Sequence, residues 1–107
     1  MHEGHRDRVK KRFRQEGLDH FSDIQALELL LFYGIPRVDT NPIAHALLDR
    51  FGSLSQVLEA SPEELMKVPG VGENAALLLT LTGCSALAQS VMALFTEIMR
   101  LSREEQR

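Results

Sequence analysis

The pentapeptide Val68-Pro69-Gly70-Val71-Gly72 constrains this chain more than any other stretch. Pro69 sets the backbone angle wanted at the second position of a tight turn, and Gly70 can take the positive φ that the third position of a type II turn demands. The chain therefore reverses sharply here. Gly72 exposes the first amides of the next helix, and a helix start carries unpaired N–H groups and a positive dipole end suited to a phosphate. Val68 and Val71 can act as inward apolar pegs, Ala76 is small where two helices cross, and Leu65 and Leu79 can close the contact. Glu73 follows the turn at once. Its carboxylate stabilises a helix start by about 0.3–1 kcal/mol but repels a phosphate. The turn either binds nucleic acid or only reverses a packed helix pair.

No useful stretch alternates with period two, whereas apolar spacings of three and four recur, so the chain is expected to be all-helical. The first helix is expected from about His5 to Glu16, ended by Gly17, with a thin apolar face of Val9 and Phe13. Ser22 and Gln25 form a capping-box pattern that opens an apolar second helix, the expected buried centre, ended by Gly34 and Pro36. Asn41 as N-cap and Pro42 start a third helix that Gly52 stops. Ser53 caps a short helix, and Ser61, Pro62 and Glu64 open another with a capping box. After the 69–72 turn a helix restarts, with an interruption expected near Gly83. The tail then continues with an apolar stripe of Leu87, Val91, Leu94, Ile98 and Leu101. An apolar helix, a Gly/Pro turn and a second helix occur around residues 27–51 and again around 63–81, which suggests a duplication.

At 107 residues and 44% hydrophobic content, one core can hide roughly two-thirds of the unfolded surface. The single Cys84 allows no intrachain disulfide, no zinc spacing occurs, and the amino terminus lacks a signal-peptide apolar region, so a reducing cytoplasm is expected. The unbroken apolar runs fall short of the ~20 residues that cross a bilayer, and no membrane partner is expected. The charge of −3 is uneven. Arg6, Arg8, Lys10, Lys11, Arg12 and Arg14 against Glu3 and Asp7 give residues 1–14 a net +4, leaving −7 for the rest. Such a basic segment suits a polyanion or is a solvated helical face. Glu28, inside the apolar helix, is expected to partner an arginine of the first helix. His2 and His5 stand three apart, but a capping or solvent role is favoured over a shared metal. No nucleophile–base pair, metal set or cofactor loop marks the chain as an enzyme.

The spacing Leu65, Val68-Pro69-Gly70-Val71-Gly72, Ala76, Leu79 resembles the helix-hairpin-helix motif of DNA repair and recombination proteins. More widely, "HEGHRDRVKKRF" and "ALELLLFYGIPRVDTNPIAHALLDRFGSLSQVLEASPEELMKVPGVGENAA" resemble the amino-terminal region of the bacterial RadC family. In that family a His-x-Gly-His-Arg start and an Ile-Pro-Arg-x-Asp-x-x-Pro stretch are usual. The likeness covers about residues 2–80. It implies a compact SAM/helix-hairpin-helix-like domain over residues 1–83, with tandem hairpin units behind a basic first helix. Residues 84–107 are then a carboxy-terminal helix or linker toward the family's metalloprotease-like domain, whose His-x-His-Pro-Ser-Gly motif this chain lacks. The chain is accordingly read as a fragment or a naturally short form.

The resemblance implies non-specific DNA binding in repair through the amides of Gly70, Val71, Gly72 and Asn74, helped by Lys67 and by the basic set Arg6, Arg8, Lys10, Lys11 and Arg12. It also implies no cofactor beyond a monovalent cation on the hairpin carbonyls. Family members commonly carry Lys, Arg, Thr or Ser where this chain has Glu73 and Asn74. Arg37 and Asp39 fall in the family signature and are expected to pair or to clamp the two halves. The competing expectation is a non-catalytic interaction domain that packs on the family's carboxy-terminal domain, on a repair partner, or on itself through the tail helix.

Overall fold

The computed structural model describes residues 2–105, and among them only helices and turns occur, in the order α1 (His2–Glu16), α2 (Asp23–Gly34), α3 (Asn41–Phe51), α4 (Leu54–Glu59), α5 (Pro62–Leu65) and α6 (Glu73–Glu105). The all-helical expectation holds. α2 is the centre: it packs against α1, α3, α4 and α6. Its Ser22 hydroxyl accepts from the Gln25 N–H while the Gln25 side chain accepts from the Ser22 N–H, so two orphan donors of the helix start are satisfied. Leu27, Leu31, Leu47, Val57, Leu65 and Leu79 are fully buried and join α2, α3, α4, α5 and α6 into one core.

α1 has little apolar surface to offer, and its Phe13 remains substantially exposed beside Phe21. Polar contacts dock it. The Arg6 guanidinium, 9% exposed, donates to Phe32 O at 3.0 Å, Ile35 O at 2.6 Å and Val38 O at 2.7 Å. These carbonyls end α2 and start its exit loop, where the helix dipole is negative and last-turn acceptors lack helical partners. The guanidinium also lies 4.8 Å from the Phe32 ring centroid. The adjacent His5 donates through Nε2 to Glu28 Oε1, one turn before Phe32 on α2, at 2.6 Å. Glu28 thus meets a histidine of the first helix, not the arginine expected, because Arg6 is held by the carbonyl cluster.

Several boundaries differ from the sequence expectation. α1 begins at His2, not His5. Thr40, not Asn41, is the N-cap of α3. Asn41 lies inside the helix, its N–H donating to Asp39 Oδ1 at 3.1 Å and its amide to Glu28 Oε2 at 3.4 Å. Asp39 is therefore the loop's backbone acceptor and not the partner of Arg37, whose φ of 65° sets it in the left-handed region. Ser61 caps α5, but the Glu64 carboxylate turns to Lys67 and Arg50 and leaves the capping box unclosed.

α6 runs unbroken for 33 residues through Gly83. The interruption expected there does not occur, and the expected boundary at 83/84 falls inside the helix. Gly83 is instead a point of contact: a Cβ on it would overlap the Leu58 carbonyl oxygen of α4. α6 is also long and apolar enough, by length and composition, to cross a bilayer. Residues 74–96 contain no charge. Short polar residues such as Thr80, Thr82 and Ser85 interrupt the apolar runs without adding charge, which is why counting unbroken runs missed this.

Candidate nucleic-acid interface

The turn between α5 and α6 closes with Val71 N–H donating to Val68 O at 3.1 Å, and Gly70 has φ +91°. With Pro69 at the second position this is the type II pattern. A Cβ on Gly70 would also stand 2.8 Å from Ile43 Cδ1, so α3 braces the turn from behind. Val68 and Val71 are buried, as are Ala76, Leu65 and Leu79, and all five belong to one core cluster. The helical ladder of α6 starts with Ala76 N–H donating to Gly72 O at 3.0 Å. The N–H groups of Gly72, Glu73 and Asn74 precede it and, among the described residues, donate to no protein acceptor. Val71 differs, because its N–H closes the turn and is not free for a ligand.

Two anions oppose a phosphate here, one at the amides and one on the neighbouring lysine. Glu73 is exposed at the helix start. Lys67 Nζ, the cation expected to assist, lies 2.8 Å from Glu64 Oε1, and Arg50 approaches the other Glu64 oxygen at 3.4 Å. The Lys67 bond holds the exposed Glu64 carboxyl below the usual carboxylate range. Because the folded value is the lower one, this pair supports the fold at neutral pH and that support is lost as the pH falls through the carboxylate's folded value. Exposure keeps its contribution small. A phosphate would have to share Lys67 with Glu64.

The basic residues of α1 separate into two groups. Arg6 is buried in the α2 carbonyl cluster, and Arg12 donates to His20 O at 2.7 Å while lying over the Phe21 ring. Both hold the helix in place. Arg8 and Lys11 are exposed, and Lys10 reaches over the Tyr33 ring at 5.1 Å. Lys10, Lys11 and Arg14 line one shallow groove with Asp7 and Gln15, three cations to one anion. Arg14 was not singled out as a contact residue from sequence, although positions 7, 10, 11 and 14 share a helical face. α1 rests on α2, whereas the turn is held by α3 and α6, so the basic groove and the turn stand on different supports.

A second cavity, near 550 Å³, lies between α1 and the start of α2 and includes His5, Glu28, Asp39 and Asn41. Its polar groups are bonded to one another, and no group of three metal-ligating side chains occurs among the described residues. The His2 side chain of the histidine pair considered above lies outside the described residues.

These observations define an all-helical module built on a braced glycine turn. Residues 3–77 match the family described as UPF0758 N-terminal, and the chain belongs to that family, which is the RadC-like one. The UPF0758 protein FN0909 of Fusobacterium nucleatum is 46% identical over 81 residues, which cover 76% of this chain and 35% of that protein. The chain thus spans about a third of that relative's length. No solved structure matches.

Proposed function

We propose that this chain is a non-sequence-specific DNA-binding module of a RadC-like repair protein, with α2–α3 and α5–α6 as tandem helix-hairpin-helix units. The observation that carries the reading is the braced type II turn, which leaves the Gly72, Glu73 and Asn74 amides without protein acceptors at the start of α6. The groove of Lys10, Lys11 and Arg14 adds a second phosphate-binding element. Both elements address the backbone and carry no base-reading geometry, so affinity comes from phosphate neutralisation. DNA repair as the setting follows from the RadC resemblance, and a cytoplasmic location from the single cysteine and the polar amino terminus. The chemistry of that family's metalloprotease-like domain is not part of the proposal.

Fluorescence anisotropy with labelled duplex, branched and single-stranded DNA tests this. Three or four phosphate contacts predict a log K against log salt slope of roughly −3 on duplex. Glu73→Gln removes the anion at the docking point and should tighten binding by about 1 kcal/mol, roughly fivefold. A Gly70→Ala, Gly72→Ala pair, checked to be folded, should weaken it. Absence of binding at low salt sinks the proposal, and a Glu73→Gln protein that binds as the parent does removes the turn from the contact surface.

The second reading, a non-catalytic interaction domain, is favoured by one observation: the carboxy-terminal half of α6 is apolar and exposed.

A further inference from the structure

α6 divides by burial into two parts. Its first turns are part of the module, with Ala75, Ala76 and Leu79 buried. From Gln89 to Glu104 every residue is exposed. That half nevertheless carries Val91, Leu94, Phe95, Ile98, Met99 and Leu101, each about half exposed or more. Positions 87, 91, 94, 98 and 101 follow one another at intervals of four and three, a 3.5-residue period. With Val91 and Ile98 at heptad position a, Leu87, Leu94 and Leu101 all occupy d. β-branched residues at a with leucine at d are the combination that selects a parallel, two-stranded coil.

We propose that the exposed half of α6 is a dimerisation helix whose occupant is a second copy of this chain, joined as a parallel two-stranded coiled coil along Val91, Leu94, Ile98 and Leu101. The charges agree. Position g holds Ser90, Glu97 and Glu104, and position e holds Phe95 and Ser102. A parallel pair sets Glu97 toward Ser102 and Ser90 toward Phe95 of the other copy, with no like charges opposed. An antiparallel pair sets g against g and draws glutamates of both copies to one side. Arg100 already bonds Glu97 and Glu104 within its own helix, so their charge is partly offset without an interchain partner. The seam spans only about two heptads, so the dimer should dissociate on dilution.

A bilayer is the rival occupant, since the uncharged stretch 74–96 is long enough to span one. Against it, the start of that stretch is buried in the module's core, and the heptad seam continues past Glu97 and Arg100 to Leu101. A lipid-facing helix needs no 3.5-residue seam. The dimer stands apart from the DNA-binding proposal, although two modules at one end of a coil would make phosphate contact bivalent.

Sedimentation equilibrium of the whole chain over a range of concentrations is the test, with Leu94→Glu, Ile98→Glu as the paired variant. These side chains are exposed in the single chain, so circular dichroism should show the module still folded. The expected result is a monomer–dimer equilibrium for the parent and at least a tenfold rise in its dissociation constant for the variant. A Val91→Cys, Cys84→Ser protein under a mild oxidant should also form a disulfide-linked dimer, since position a faces itself only in a parallel pair. A parent that stays monomeric, a trimer or tetramer, a variant that still dimerises, or failure of the cysteine to cross-link each overturns the proposal. So does a monomeric parent that partitions into phosphatidylcholine vesicles, which would assign the face to lipid.

Discussion

Alanine in place of Gly83 will destabilise the protein by about 2 kcal/mol, although the same change inside an ordinary helix stabilises it by roughly 0.5–1 kcal/mol. The reversal of sign comes from one contact. A Cβ at this position overlaps the Leu58 carbonyl oxygen and crowds the Leu58 carbon and side chain, all on the last turns of α4. Backbone cannot swing aside as a flexible side chain can, so α4 must move off α6. That shift also loosens Val57, which is fully buried. Urea denaturation should show a lower midpoint at unchanged slope, the mark of a stability change without a change in the unfolding transition. A higher midpoint would mean that α4 and α6 do not meet at this glycine.

Arg6→Ala should cost more, about 3 kcal/mol. The substitution removes three charge-assisted donors from Phe32 O, Ile35 O and Val38 O and the cation from the face of Phe32. Arg6→Lys should rescue only part of the loss, because one ammonium cannot match the planar fork that reaches three carbonyls. The readout that separates this role from a phosphate contact is the salt dependence of DNA binding. At a temperature where Arg6→Ala is folded, the slope should be that of the parent. A stable Arg6→Ala protein with a shallower slope would place the guanidinium at the DNA surface instead.

Much of the fold was legible because its signals are local. The Ser22–Gln25 capping box, the Gly17 and Gly52 stops and the type II turn at Pro69-Gly70 each involve residues within a few positions of one another. What escaped depends on distant partners. Arg6 reads as one more cation in a basic helix, and only the end of α2, 26 to 32 residues away, turns it into a docking residue. Gly83 reads as a helix breaker until α4 is seen against it. Sequence alone offers Glu28 several cations of the first helix, and the geometry selects His5. At the candidate interface the shape of the turn is legible in Pro69 and Gly70, while the use of the Val71 N–H within it and of Lys67 by Glu64 depends on the folded geometry. Arg14 could have been found from the 7, 10, 11, 14 spacing alone.

Docking of phosphates on the basic groove of α1 and on the amides of the turn is open to a single measurement: duplex-DNA affinity at several salt concentrations for the parent and for a Lys10→Glu, Lys11→Glu, Arg14→Glu variant. These residues hold no buried contact, so the variant should fold as the parent does. Affinity should fall at least about tenfold at low salt, and the log–log slope should become shallower by roughly two, as contacts in the groove are lost while those at the turn remain. Equal affinity and equal slope for the two proteins would contradict it.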